Sequence, residues 1–137
     1  YEVSNFERHD KASVHNKIYW KNQDYIGLGA GAHGKMNSSR YANIRSAKKY
    51  IEAINIKGYG RDYEYQYEVM RDYCLMGLRL LEGIDLIDFK QHFNQSIFEA
   101  YEALEQYLNQ GLLKIEDNRL KFTEKGLFLG NIVFAIF

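Results

Sequence analysis

Residues 96–123 read SIFEAYEALEQYLNQGLLKIEDNRLKFT, and this stretch decides the fold class. Ser96 is a helix-capping residue. After it Ile97, Tyr101, Leu104 and Leu108 recur at 4-3-4 spacing, which puts them on one face of a helix. Gly111 ends that helix, because glycine tolerates the left-handed conformation a helix end needs. Leu112 to Ile115 and Arg119 to Phe122 then alternate around Glu116-Asp117-Asn118, the pattern of two strands joined by a turn. Upstream, Asp85 starts a short helix carrying Leu86, Phe89 and Phe93. Downstream, Thr123 caps a final helix in the strongly apolar run from Gly126 to Phe137. Two helices followed by a hairpin and a closing helix form a winged-helix-like unit.

Further toward the N-terminus the helical texture continues back to Ser46, which caps a helix over 47–55 that Gly58 ends. Residues 62–81 are expected to form the longest helix. Val69, Tyr73, Met76 and Leu80 share one face of it, and Met70, Cys74, Leu78 and Leu81 line a second. Before residue 45 the texture is extended. Residues 2–6 read as a short strand and 7–14 as a polar loop with His9, Asp10 and Lys11. Tyr25 to Met36 holds four glycines between Gly27 and Gly34. At about 1 kcal/mol per glycine, helix is excluded there, and a tightly packed extended segment ending in a turn is expected. Asn37-Ser38-Ser39 is that turn, and Arg40 to Ile44 a further strand. The expected class is therefore α+β, with a boundary between residues 44 and 45. A chain that opens on Tyr1 inside a strand-like segment also reads as the later part of a larger protein, since such a strand needs partners.

Composition narrows the function classes. With 46% hydrophobic and 26% charged residues, the chain is globular rather than disordered. The formal net charge is zero, which gives no electrostatic footprint for nucleic acid. The helix that would enter a DNA groove carries Glu99, Glu102 and Glu105 and no Lys or Arg, which opposes phosphate binding. No apolar run reaches the ~20 residues of a membrane span, and no stretch reads as a signal peptide. One cysteine, Cys74, fits a reducing compartment and reads as a buried structural thiol. A cytoplasmic location is expected.

Two constellations are candidates for binding. Gly29-x-Gly31-x-x-Gly34 matches the dinucleotide pattern, but that chemistry needs a helix opening at the last glycine. Lys35 to Ser39 carries no helix signal, so close approach of a backbone or ligand is the expected reason for the glycines. His15-Asn16-x-x-Tyr19-Trp20 places an imidazole beside two flat aromatic rings on one short turn. An imidazole nitrogen can ligate haem iron, and such rings can line a macrocycle.

The order Tyr1-Glu2-Val3-Ser4-Asn5-Phe6, then His15-Asn16-x-x-Tyr19-Trp20, then Gly27-Leu28-Gly29-Ala30-Gly31-Ala32-His33-Gly34 resembles one family. That family is the oxygen-independent coproporphyrinogen III oxidase-like radical S-adenosylmethionine proteins. The resemblance continues through Gly111-Leu112-Leu113 and Thr123-x-x-Gly126 to Asn131-x-x-Phe134, and so covers essentially the whole chain. The His-Asn-x-x-Tyr-Trp string is most similar to its haem-chaperone branch. The resemblance implies a partial (β/α) barrel holding a [4Fe-4S] cluster on a Cys-x-x-x-Cys-x-x-Cys loop that this chain lacks. Residues 1–44 would be the last strands and edge of that barrel. Residues 45–137 would be a mainly helical, winged-helix-like domain over its mouth. His15 would bind haem through its iron, with Asn16, Tyr19 and Trp20 around it. Gly31, Ala32 and His33 would edge the S-adenosylmethionine pocket. The implied function is delivery of haem to recipient haemoproteins. The alternative is conversion of coproporphyrinogen III to protoporphyrinogen IX, in which this chain would be the lid over the porphyrinogen. A further alternative is a non-catalytic lid or partner-docking module using the acidic 96–110 helix.

Overall fold

The computed structural model describes residues 1–9 and 11–137; Asp10, in the expected polar loop, lies outside the described residues. The chain forms two compact units, Tyr1–Lys21 together with Met70–Phe137, and Asn22–Val69.

The second of these is built on a three-stranded antiparallel sheet, β1 (His33–Met36), β2 (Ser39–Asn43) and β3 (Arg61–Gln66), in that order. Asn37, at φ 55°, makes the tight turn between β1 and β2. Helix α2 (Ala47–Lys57) connects β2 to β3. It opens on the Ser46 hydroxyl, which accepts from Lys49 N–H, and closes on Gly58 at φ 78°, both as the sequence implies. The strand β3 departs from expectation, which places residues 62–66 in a long helix over 62–81. Tyr63 and Tyr65 recur at period two, and the backbone of 61–66 pairs with Ser39–Asn43. The sheet therefore runs across residue 45.

The other unit holds α1 (Val14–Trp20), α3 (Val69–Gly77), β4 (Ile84–Asp85) and α4 (Leu86–Phe93). It continues through α5 (Ile97–Ala100), α6 (Ala103–Asn109), β5 (Leu113–Glu116), β6 (Arg119–Phe122), α7 (Glu124–Phe128) and α8 (Gly130–Phe134). Strands β4, β6 and β5 form a small antiparallel sheet in that order. Its hairpin turns at Asp117 and Asn118, both at positive φ (51° and 60°), the conformation that suits the right-handed twist of a two-residue hairpin. The Asp85 carboxylate caps α4, and Ser96 with Glu99 forms a reciprocal capping box on α5. The expected single helix over 96–110 breaks at Tyr101, which adopts φ −138° and ψ 76°. Its ring packs edge-on against Phe137 at 4.7 Å. The apolar run after Thr123 likewise forms two short helices rather than one. Residues 2–6 make no full strand: Glu2 bridges Leu80.

One core holds this unit together. Cys74, Leu78, Phe89, Ile97, Leu104, Leu120 and Val133 are buried in it. Of the two apolar faces read on the third helix, the Met70–Cys74–Leu78 line is the one turned inward, and Val69 and Leu81 are exposed. The overall class is α+β, as expected.

Candidate functional site

The His15 motif forms α1, seven residues long, opened by the Ser13 hydroxyl accepting from Asn16 N–H. No residue of this helix is buried. Asn16 and Trp20, four apart, share the side turned to the body of the unit. The Asn16 amide donates to the Tyr1 hydroxyl at 3.2 Å. Trp20 is half-buried, and the Arg79 guanidinium lies over its ring at 4.6 Å from the centroid. His15 and Tyr19, also four apart, form the neighbouring face. Their rings meet edge-on at 4.8 Å, and His15 Nε2 and the Tyr19 hydroxyl are 2.6 Å apart in a hydrogen bond. His15 is exposed.

All four motif residues are thus brought together on one helix. An exposed imidazole suits iron. Its ε nitrogen is engaged by Tyr19, so ligation there would displace the phenol, and the δ nitrogen would be the alternative. Trp20 can offer a macrocycle only the face that Arg79 leaves open.

Arg79 was missed by sequence reading. Its Nη2 donates to Glu2 at 2.7 Å and to the Ser4 hydroxyl at 2.8 Å, and its carbonyl accepts from Val3 N–H at 2.9 Å. The Glu2 side chain is fully buried. Burial pushes its carboxyl pKa up. Hydrogen bonds from the Asn5 side chain, Ser4 N–H and Arg79 outweigh that and hold it below the ordinary value of 4.5. A depressed folded pKa means the ionised form stabilises the fold. That contribution is complete above the ordinary value and is lost as pH falls through the lower, folded one. Protection of the Val3 amide, taken relative to its intrinsic exchange rate at each pH, should therefore fall on acidification below about pH 4.5, the ordinary glutamate value, and Glu2→Gln should remove that dependence. A pH-independent Val3 protection factor in the unsubstituted protein would refute this.

The glycine segment lies in the other unit. Gly27 has no room for a side chain, because a Cβ there would stand 2.1 Å from the His33 carbonyl oxygen. At Gly34 the space is filled by the Tyr41 ring. The close approach is therefore the chain's own. After Gly34 comes strand, not helix, so the dinucleotide pattern lacks its structural context. Gly31 N–H donates to Ile44 O at 3.0 Å, and Ala32 O accepts from Asn43 N–H at 2.8 Å, so these groups are engaged within the unit. His33 is exposed. Two buried polar residues hold the segment, and neither was read from the sequence. Asn43 donates to Gly27 O at 3.1 Å and Gly29 O at 2.9 Å. Lys35, 4% exposed, pairs with Asp24 at 3.3 Å.

The chain does not supply an iron–sulfur site. Its one cysteine, Cys74, is fully buried, and burial pushes the thiol up to about 12, away from the thiolate a cluster needs. Among the described residues, no helix is long and apolar enough to cross a membrane.

The chain is similar to several known proteins. Residues 66–129 match the family described as HemN C-terminal domain. The whole chain is 33% identical, over 143 residues, to the heme chaperone HemW of Bacillus subtilis (strain 168), covering 37% of that protein. It is 34% identical over 139 residues to the heme chaperone HemW of Lactococcus lactis, again covering all of this chain and 37% of the relative. The chain therefore spans little more than a third of the length of these relatives. The structure of coproporphyrinogen III oxidase (HemN) from Escherichia coli, a radical SAM enzyme, superposes with a TM-score of 0.66. That match covers 83% of this chain and 28% of the other at 16% identity, a likeness of fold alone.

Proposed function

Since the chain belongs to the oxygen-independent coproporphyrinogen III oxidase-like family of radical S-adenosylmethionine proteins and matches its C-terminal domain, we propose that the whole protein binds haem and delivers it to recipient haemoproteins in the cytoplasm. The observation that carries this reading is the assembly of His15, Asn16, Tyr19 and Trp20 on one short helix, with the imidazole exposed. Haem is the cargo. His15 ligates or orients the iron, Tyr19 holds the imidazole and leaves it on ligation, and the open side of Trp20 lies against the macrocycle. The relatives named as heme chaperones are 33% and 34% identical across the whole chain, against 16% for the oxidase structure, which favours delivery over porphyrinogen oxidation.

The [4Fe-4S] cluster of the whole protein is held by residues outside this chain, since its one cysteine, Cys74, is buried and cannot serve. Residues 1–44 are the edge of the barrel that carries it, and 45–137 the domain over its mouth. Gly31, Ala32 and His33 lie at the edge of the S-adenosylmethionine pocket, reaching it through the exposed His33 ring.

A visible-absorption haem titration of the full-length protein beside its His15→Ala variant tests this reading. Saturable binding is expected, with a Soret band that the variant shifts or loses and an affinity about 10–100-fold weaker, the range typical of losing a group that supports a metal site. Identical spectra and affinities for the two proteins would remove His15 from the site.

A further inference from the structure

We propose that Arg79 is a positioning residue for His15: it holds α1 against the body of its unit through Trp20, and so sets the direction in which the imidazole meets the iron. The inference rests on the haem reading above and adds a residue to it.

Seven residues make a helix too short to persist alone. None of its side chains is buried, so core packing does not set its rotation. Two of its other described ties are weak. The Lys21–Glu82 ion pair is half-exposed on both sides, and such pairs contribute little. Lys17 lies 5.7 Å from the centroid of Tyr1, near the limit of a useful cation–ring contact. The Asn16–Tyr1 hydrogen bond ties α1 to the terminal residue.

Arg79 is anchored differently. It sits between the buried Leu78 and Leu80, and its side chain is 29% exposed. One planar group makes three contacts: the face of Trp20, the buried Glu2 carboxylate and the Ser4 hydroxyl. Trp20 Nε1 and Arg79 Nε are buried without an acceptor among the described residues. The contact between them is therefore ring on cation, and it depends on the guanidinium lying flat. A lysine has the charge but not the plane or the fork, so it cannot make all three contacts. Trp20 and Asn16 face inward while His15 and Tyr19 occupy the adjoining face. Releasing Trp20 lets the helix turn about its axis, and His15 turns with it.

The experiment uses the full-length protein and compares unsubstituted, His15→Ala, Arg79→Lys and Arg79→Gln forms by haem titration and thermal unfolding. Arg79→Lys is the variant expected to fold. It should bind haem about tenfold more weakly, the lower end of what loss of a supporting residue costs. Its bound Soret band should move toward that of His15→Ala, and Arg79→Gln should move it further. Band position reports which group ligates the iron, and a merely structural role does not move it. Weaker binding or a lower Tm with an unchanged band would overturn the inference. So would wild-type affinity and spectrum in both Arg79 variants while His15→Ala loses binding, an outcome that leaves the haem reading standing. Failure of the unsubstituted protein to bind haem would remove the haem reading, and the inference with it.

Discussion

Replacing Phe89 by alanine should lower the unfolding free energy of the unit that carries α1 by about 3–5 kcal/mol, the range for emptying a buried phenylalanine site. Phe89 is fully buried on α4. Its ring meets Phe93 at 4.7 Å and Tyr73, edge-on, at 5.8 Å. These rings are fixed from elsewhere. Tyr73 donates to the Asp88 carboxylate at 2.5 Å, and burial together with that carboxylate raises its phenol pKa above the ordinary value. The cavity left by the missing ring therefore cannot close by simple collapse. Against a total stability of about 5–15 kcal/mol for a typical domain, the loss is severe. It should appear as a fall in Tm of more than about 10 °C. Phe128 supplies the control, because it is 90% exposed and its alanine variant should stay within about 0.5 kcal/mol. Equal Tm values for the two variants would mean that the aromatic cluster around α4 does not hold this unit together.

Where a residue acts on its own neighbourhood, the fold was legible before any coordinates. Ser46, Ser96 and Thr123 each accept from a backbone N–H three residues on, and Asp85 from those of Ile87 and Asp88. The hairpin turn at Asp117 and Asn118 is equally local, since both residue types tolerate positive φ. Legibility failed where distant partners decide. Residues 61–66 are exposed throughout, so no buried-and-exposed alternation marks them as a strand. Their pairing with β2 settles the matter, and the i, i+4 pattern that follows from Val69 masked it. The 97-101-104-108 periodicity runs straight through Tyr101, yet Tyr101 leaves the helix and its ring packs on Phe137. The candidate site divides in the same way. His15, Asn16, Tyr19 and Trp20 are a contiguous string and could be found. Arg79 carries no local signal, and only the folded chain brings it onto Trp20 and Glu2.

Asn43→Asp should have the second largest effect, and its size should depend on pH. The Asn43 side chain is 6% exposed in its unit and donates to the carbonyls of Gly27 and Gly29. Aspartate has the same shape but, when ionised, only accepts. Two carbonyl oxygens would lose their donor and face a buried negative charge. Each unsatisfied buried group costs about 1–3 kcal/mol, so a total near 3–5 kcal/mol is expected at neutral pH. Burial and the facing carbonyls would raise the introduced carboxyl above its ordinary pKa. A raised folded pKa makes the protonated form the tolerated one, so the defect should be smallest at low pH and grow as pH rises through the folded value. Asn43→Ala removes both hydrogen bonds without adding charge, and should cost less and show no such dependence. Hydrogen exchange at Gly31 and Asn43, whose N–H groups bond Ile44 O and Ala32 O, reads the loss directly. An aspartate variant that protects these amides as well at pH 8 as at pH 5 would show that Asn43 does not hold the glycine segment, and that the segment is fixed instead by the packing of His33 on Gly27 and Tyr41 on Gly34.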